Sequence, residues 1–172
     1  MKNNNIKACK TPTLVFTMTR EEQIAFKHSL KQYCEEQLTQ RIQAIQEKIE
    51  QAQQSANSEE KSSAGDKYET SRAMNHLEKD MHSRQLAQNT QEMAALHAVN
   101  TSNIYAAPAS GAYIQCKDFS FFIAIGLGKR AINGQTIFFL SADAPITRQL
   151  LQKKAGDTFL FNNAHVQIEG IF

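Results

Sequence analysis

Acidic side chains in the middle of the chain are the residues best suited to chemistry. Asp66 and Glu69 are three residues apart, so both lie on one face if a helix has begun at that point. Their carboxylate oxygens are hard ligands of the kind that Mg²⁺ takes. Glu59 and Glu60 add two further acids a few residues earlier. The alternative is that all four are solvated charges in a polar turn.

Histidine and cysteine residues do not predict a second chemical centre. His76 and His82 are six residues apart and therefore lie on different faces of a helix. A nucleophilic pair of Cys116 and His165 requires the two side chains to meet across a sheet, and we do not expect it. We expect neither a disulfide framework nor a zinc site, because the cysteines are far apart and lack CxxC spacing. The three cysteines are Cys9, Cys34 and Cys116.

A long helix is predicted to lead to these acids. Thr19 and Glu22 have the spacing of a capping box, and no proline or glycine interrupts the chain from there to about Ala56. Apolar residues then recur at alternating spacings of four and three, which predicts the seam of a coiled coil, while the other faces are polar. The predicted seam residues are Leu38, Ile42, Ile45, Ile49, Ala52 and Ala56.

The helical pattern resumes after Gly65. Two helices with narrow apolar stripes and a short polar connection predict an antiparallel hairpin over residues 20–100, with its tip at about 56–66. At 1.5 Å per residue the rod is on the order of 50 Å long, and the acids lie at its far end. The predicted stripe of the second helix consists of Met74, Leu77 and Met81 and, after a shift of register, Leu86, Met93 and Leu96.

From residue 101 the pattern changes to short strands. Residues 101–110 predict a linker, and residues 111–172 predict a small antiparallel sheet domain that holds eight of the ten phenylalanines. The predicted strands are AYIQC, FSFFIAI, QTIFFL, DTFLF and HVQIEGIF. Turns are predicted at Asn133-Gly134, Gly156-Asp157 and Asn162-Asn163. GLGKR is interpreted as a hairpin turn, because no long helix follows it as in a phosphate-binding loop.

The segment SADAPITRQLLQKKAGD predicts one short helix packed on a face of the sheet. Asp143 or Ser141 suits the N-cap, Pro145 suits the first turn, and Gly156 is expected to end the helix. Its predicted apolar face consists of Ile146, Leu150 and Leu151.

Charge and hydropathy restrict the class of protein. The 172 residues carry 19 Lys and Arg against 17 Asp and Glu, so the net charge of +2 gives no case for unaided nucleic-acid binding. No apolar run suits a signal peptide, and none approaches the roughly 18 residues that span a bilayer. We therefore expect a cytoplasmic protein, with residues 1–19 as an N-terminal extension.

The order of these elements, and the segment SADAPITRQLLQKKAGDTFLF above all, resemble the Gre family of bacterial transcript cleavage factors. The family has there a Ser, a small residue and Pro, an apolar residue, Gly-Arg, a Leu pair, Gly-Lys, and Gly-Asp before a strand; Thr147 replaces the usual first Gly. The closing HVQIEGIF resembles the family's final strand. The matching positions are Ser141, Ala144, Pro145, Ile146, Arg148, Leu150, Leu151, Lys153 or Lys154, Gly156 and Asp157.

The resemblance, which runs from about Arg20 to Phe172, implies a fold. That fold is α+β, with an N-terminal antiparallel α-helical coiled-coil hairpin over residues 20–100. An FKBP-like antiparallel β-sheet domain with one short helix follows over residues 111–172.

The resemblance also implies a partner. In the Gre family the hairpin enters the secondary channel of RNA polymerase, and the C-terminal domain docks near the channel entrance. Tip acids help to hold the second catalytic Mg²⁺ and a water, so that the polymerase hydrolyses backtracked RNA. The docking residues implied here are Asp143, Pro145, Ile146, Arg148, Lys153 and Lys154.

For this chain the resemblance implies a monomer that is not itself an enzyme and that binds no metal or cofactor stably. Asp66 and Glu69 would share the Mg²⁺ of the polymerase active site. Nascent RNA and DNA would be contacted only through the polymerase.

The tip departs from the family pattern, in which an Asp and a Glu three residues apart are followed by a Tyr three residues after the Glu. Here Tyr68 falls between Asp66 and Glu69, and anchoring on Tyr68 puts Ser62 and Gly65 at the acidic positions. Two forms therefore stay open: a factor that stimulates cleavage, and one that occupies the channel without cleaving. The accessory tip residues are Glu59, Glu60, Lys67, Tyr68 and Arg72.

Two other functions fit parts of the pattern. A non-enzymatic coiled-coil adaptor would pair the seam between chains in an extended dimer and bind another protein through the sheet domain. A prolyl isomerase is suggested only by the FKBP-like fold and requires an aromatic-lined pocket. We do not expect it, because the chain has no Trp and most Phe residues occupy strand-core positions.

Overall fold

The computed structural model describes residues 18–59 and 65–172, with side chains over 18–55 and 73–172. It is an α+β protein, in which two long helices precede a six-stranded mixed sheet and a short helix. The helices are α1 (Arg20–Glu59), α2 (Gly65–Ala98) and α3 (Pro145–Leu150). The strands are β1 (Tyr113–Cys116), β2 (Ser120–Ala124), β3 (Gly128–Ile132), β4 (Gln135–Ser141), β5 (Thr158–Phe161) and β6 (Ala164–Ile171).

The predicted capping box begins α1. The backbone N–H of Glu22 donates to Thr19 Oγ1 at 3.3 Å, and that of Thr19 donates to Glu22 Oε2 at 2.6 Å. Two N–H groups that have no partner within the helix are thereby satisfied, and the negative charge of Glu22 lies at the positive end of the helix dipole.

The two long helices pack against each other and run in opposite directions. Near the sheet, Lys31 Nζ of α1 donates to the carbonyl oxygen of His97, at the end of α2. Farther out, Lys79 Nζ of α2 donates to Gln53 Oε1 of α1 at 3.0 Å. The α1 positions predicted for the seam are buried or half-buried as far as side chains are described, namely Leu38, Ile42, Ile45, Ile49 and Ala52.

The stripe predicted for the outer half of α2 is wrong. Met74, Leu77 and Met81 are 64%, 66% and 48% exposed, so they do not face α1. The buried and half-buried positions on the neighbouring face recur at heptad spacing without a shift of register. We call these positions, with those of α1, the seam; on α2 they are Asn75, His82, Leu86, Asn89, Met93 and Leu96.

The sheet has the strand order β3-β4-β2-β1-β6-β5 and is mixed rather than antiparallel. All neighbouring strands are antiparallel except β2 and β4, which run parallel from Ser120↔Ile137 to Ala124↔Ser141. The parallel pair arises because the β3–β4 hairpin folds back so that β4 lies next to β2. Its tight turn is at Asn133 and Gly134, both with positive φ, as predicted for an Asn-Gly hairpin.

Strand β3 was missed by the sequence interpretation. Residues of GLGKR, interpreted as a turn, instead begin this edge strand at Gly128. Lys129 is exposed and Arg130 half-buried, so the strand lacks the apolar signature of its neighbours.

Each face of the sheet has its own core. The first core joins the sheet to the ends of α1 and α2 that lie nearest to it. Its buried residues are Leu30, Cys34, Leu38, Leu96, Val99, Tyr113, Phe122, Ala124, Ile125, Leu127, Ile137, Phe139 and Phe172. The second core lies under α3, and its buried residues are Ile114, Cys116, Phe121, Ile123, Leu150, Phe159 and Ile168.

Residues 101–110, predicted as a linker, form an irregular segment that packs in part against the rest of the chain. Thr101 and Pro108 are buried. Tyr105 OH donates to the carbonyl oxygen of Asn100 at 2.9 Å. The helices are therefore held to the sheet by this segment as well as by the first core.

Candidate protein-interaction surfaces

The predicted tip acids fall at the start of α2, far from the sheet. Asp66 and Glu69 belong to its first two turns, so the backbone sets them about one turn apart. Their side chains lie outside the described part of the chain. The same holds for the side chains of the accessory tip residues Glu59, Glu60, Lys67, Tyr68 and Arg72.

The predicted docking residues lie on and around α3. Asp143, Pro145, Arg148 and Lys154 are exposed. Ile146 is only partly so, because it packs against the second core. Lys153 is half-buried. The structure therefore brings these residues to one region and leaves a mixed surface of both charges with proline at the helix start.

The ends of α3 differ from the sequence prediction. Its N-cap is Ala144, with extended backbone and no side-chain capping bond, rather than Asp143 or Ser141. Thr147 Oγ1 donates instead to the carbonyl oxygen of Ser141 at 2.7 Å, which ties the first turn to the end of β4. The helix ends at Leu150, well before Gly156.

Gly156 belongs to a turn ahead of β5. The turn is closed by the N–H of Lys154, which donates to Asp157 Oδ2 at 2.8 Å. The turn that follows α3 is thus stabilised by the side chain of Asp157, one of the residues that resemble the family pattern.

Three basic residues of α1 hold the segment that follows α2; we call Lys27, His28 and Lys31 the basal clasp. Lys31 Nζ donates to the carbonyl oxygens of His97 at 3.1 Å and Val99 at 2.9 Å, so it caps the end of α2. His28 Nδ1 lies 3.0 Å from Thr101 Oγ1. The clasp fixes where the helical pair leaves the sheet.

Lys27 is the fully buried member of the clasp. Its ammonium group donates to the carbonyl oxygen of Asn103 and lies 4.8 Å from the ring centroid of Tyr105 and 6.0 Å from that of Phe172. Burial lowers the pKa of Lys27 to about 8, because desolvation penalises the charged form. Sequence reasoning missed the clasp, and its only signal is a basic pair at Lys27 and Lys31 on the face that also carries Leu30 and Cys34.

Five phenylalanine rings cluster on the face of the sheet that carries α3. Their centroids are 5.2 to 6.5 Å apart in contacting pairs, in edge-to-face and tilted arrangements. The rings pack on one another, which fits a core rather than the walls of a pocket. They are Phe119, Phe121, Phe138, Phe159 and Phe161.

The two described cysteines are buried and unpaired. Burial raises the pKa of Cys34 and of Cys116 to about 12, in each case through desolvation first and a nearby glutamate second. Cys116 lies opposite Ile168 in the β1–β6 pair, whereas His165 is exposed and lies opposite Leu160. The structure thus separates Cys116 from His165, as expected.

Groups of three or more His, Cys, Asp or Glu side chains placed to hold a metal ion are absent from the residues the structure describes. Within the same ranges no helix has the apolar length that a bilayer span requires. The chain matches no family model, no curated protein and no solved structure.

Proposed function

We propose that this protein is a Gre-like factor of the bacterial cytoplasm that binds RNA polymerase through its secondary channel and regulates elongation. In this proposal α1 and α2 form an antiparallel coiled-coil hairpin and the sheet with α3 is an FKBP-like docking domain. The protein has no catalytic activity or cofactor of its own and acts on RNA by way of the Mg²⁺ of the polymerase. It occupies the channel, and it stimulates cleavage if a tip acid reaches that metal.

The observation that carries the proposal is the projection of the helical pair beyond the sheet. On α1 the last residue in the first core is Leu38, and on α2 no described residue before Met93 packs against that core. The twenty or so residues of α1 beyond Leu38 extend about 30 Å at 1.5 Å per residue. A rod of this length ends at Asp66 and Glu69, so its shape suits delivery of a carboxylate into a deep site.

Cleavage of RNA by the polymerase would need little more from this chain than a carboxylate placed near the Mg²⁺. A carboxylate is a hard oxygen ligand for Mg²⁺, and the metal lowers the pKa of a bound water that then attacks the phosphodiester in line. The contribution of the chain is position, which the first core and the basal clasp support by fixing the base of the rod.

The surface around α3 supports the docking half of the proposal. Arg148 and Lys154 are exposed basic residues beside the exposed Leu151, which is 48% accessible. A mixed patch of this kind fits a protein surface that offers acidic and apolar side chains.

The deciding experiment is RNA cleavage in a stalled, backtracked transcription complex. We expect the protein to bind the polymerase and release short 3′ RNA fragments, and we expect Asp66→Ala with Glu69→Ala to abolish release without loss of binding. Glu47→Ala, at an exposed acid on the shaft of α1, is the matched control and should keep full activity.

The outcomes separate the forms of the proposal. Binding with no fragments assigns the protein to the form that occupies the channel without cleaving. Competition with a second channel ligand then measures that occupancy. Absence of any association with the polymerase contradicts both forms.

A further inference from the structure

The two edges of the sheet are protected to different degrees. An edge strand offers unpaired backbone N–H and C=O groups to a further strand, and charged side chains commonly oppose that pairing. Edge strand β3 carries Lys129 and Arg130, and Arg130 Nη1 donates to the carbonyl oxygen of Lys129 at 2.9 Å. Edge strand β5 has the sequence TFLF, which contains no charge, and its Leu160 is 53% exposed. Strand β5 is therefore the edge better suited to accept another strand.

The turn between β5 and β6 shows which backbone groups of β5 bond to β6. It consists of residues 162–163, both with positive φ, so Phe161 and Ala164 on either side of it exchange hydrogen bonds. Every second residue of an antiparallel strand bonds to the same neighbour, so Phe159 also bonds to β6. The side chains of Phe159 and Phe161 lie in the second core or against it.

The N–H and C=O groups of Thr158 and Leu160 consequently point away from β6. The same alternation continues before the strand, where the N–H of Ile168 donates to the carbonyl oxygen of Asp157 at 2.9 Å. Among the described residues, none bonds to the outward groups of Thr158 and Leu160. Both side chains are exposed as well. The free groups of this edge match an extended backbone, which presents donors and acceptors at the same spacing.

We propose that β5 pairs with β5 of a second copy of this chain, antiparallel about a two-fold axis that passes Phe159. In this register Thr158 of each copy lies opposite Leu160 of the other, and the two residues of each pair exchange two hydrogen bonds. All the outward groups of both strands are then satisfied. The two sheets become one sheet of twelve strands, six from each copy.

The pairing of β5 with itself fits better than the pairing of β5 with β3 of another copy. The carbonyl oxygen of Lys129 on β3 already accepts from Arg130, and a β5–β3 contact leaves one edge of each copy open, so the assembly does not close. Two copies of β5 bring no like charges together. Their Leu160 side chains lie on the same face as diagonal neighbours, within reach of each other.

The contact is confined to two short strands, so the dimer is weak and reversible. In dilute solution the chain is then the monomer that the resemblance implies. The pairing involves no residue of the two long helices, and it is independent of the proposed function.

The first test is sedimentation velocity of the full chain from about 5 μM to about 1 mM. The sedimentation coefficient should rise from the monomer value towards the dimer value, as mass action requires. A chain that is monomeric at about 1 mM overturns the proposal.

Hydrogen exchange measured by NMR locates the contact. The amides of Thr158 and Leu160 should exchange slowly in concentrated protein and rapidly in dilute protein, because only the second copy covers them. The amides of Phe159 and Phe161 bond to β6 and should be protected at both concentrations. Slow exchange of Thr158 and Leu160 in dilute protein would mean that another segment of the same chain covers the edge, and this result overturns the proposal.

Charge variants test the register. Leu160→Lys should weaken association about tenfold, because it places two ammonium groups on the shared face and acts twice in a two-fold contact. Thr158→Glu combined with Leu160→Lys should recover most of that loss, since each introduced carboxylate lies opposite an introduced ammonium group of the other copy. A double variant as weak as Leu160→Lys contradicts this register.

The matched control is Ala131→Lys, at an exposed position of the β3 edge. It should leave association unchanged, and a tenfold loss there would show that β3 takes part and overturn the pairing of β5 with itself. Thermal unfolding of Leu160→Lys at low micromolar concentration should match the wild type, because Leu160 is exposed in the single chain. This agreement shows that the loss of association does not come from loss of the fold.

Discussion

The carbonyl oxygen of Asn100 stands 2.1 Å from the point where a Cβ atom on Gly111 would lie. The same oxygen accepts the hydrogen bond of Tyr105 OH at 2.9 Å, and the N–H of Gly111 donates to the carbonyl oxygen of Ile123 at 2.7 Å. Gly111 also has a φ of +90°, a conformation that other residues adopt only with strain. The segment from α2 to β1 therefore closes around a position that only glycine fits.

We expect Gly111→Ala to lower the free energy of unfolding by about 3 kcal/mol, more than conformational strain alone costs, because a backbone atom must move. Gly134→Ala tests strain without a clash, since its φ is +78° but no atom lies within 4 Å, and should cost about 1 kcal/mol. Gly126→Ala, with open space and ordinary φ, should cost less than either. Urea unfolding of the three variants checks the order, and equal effects at Gly111 and Gly134 contradict the close approach.

The two stripes of α2 differ in what they contribute to stability. Leu96 is fully buried in the first core, so Leu96→Ala should cost about 2 to 5 kcal/mol. Leu77→Ala, at an exposed position of the outer half of α2, should change the unfolding free energy by less than about 0.5 kcal/mol in dilute solution. Thermal unfolding at low micromolar concentration compares them. A large loss of stability in Leu77→Ala would mean that Leu77 packs against α1, as the sequence pattern predicts.

Buried Lys27 makes stability depend on pH in the alkaline range. Its pKa is about 8 in the folded protein against 10.5 in the unfolded chain, so between these values the unfolded state binds more protons. The free energy of unfolding therefore rises as pH increases from 8 to 10.5, by up to about 3 kcal/mol, and this gain is absent below pH 8.

The matched variant for that dependence is Lys27→Met, which keeps the length of the side chain and removes the titrating group. From pH 8 to 10.5 the unfolding free energy of the wild type should rise relative to that of the variant. Parallel curves for the two proteins across this range would show that Lys27 does not titrate as described.

Cys34 and Cys116 should be inert in the folded protein. Both are buried and their pKa is raised to about 12, so the reactive thiolate is scarce at neutral pH. In a Cys9→Ser background, an aromatic disulfide reagent should label neither thiol in native buffer and both in concentrated urea. Rapid native labelling of one cysteine contradicts its burial.

Local signals in the sequence were sufficient for α1. The Thr19 and Glu22 pair begins the helix, and the seam from Leu38 to Ala52 follows from the spacing of its apolar residues. These features depend on neighbours within one or two turns, which is the range that periodicity reports.

The covered face of α2 could not be predicted in the same way. Seam positions of α2 hold Asn75, His82 and Asn89, while apolar Leu77 and Met81 lie outside the seam. Apolar spacing therefore selected the wrong face, since which face is covered depends on the partner helix.

The sheet shows the same limit. The parallel pairing of β2 with β4 joins strands that are not consecutive, and β3 has a charged edge sequence in Lys129 and Arg130. Neither the pairing of β2 with β4 nor the edge position of β3 produces a local pattern of apolar residues in the sequence. The role proposed for Asp66 and Glu69 rests on the resemblance and on their place at the start of α2, because their own spacing also fits a solvated turn.

The first core has a consequence for how the molecule opens. Leu30 and Cys34 of α1 share that core with Phe139 of β4 and Phe172, so the base of the helices and the sheet form one cooperative unit. The outer shaft, beyond Leu38 of α1 and before Met93 of α2, has a seam that is half-buried except at His82, and polar residues lie beside its isoleucines. Amide hydrogen exchange should therefore be fastest in the outer shaft and slowest where α1 meets the sheet. The described shaft that leads to the end proposed to meet the partner should therefore open at a lower free energy than its anchor at the sheet.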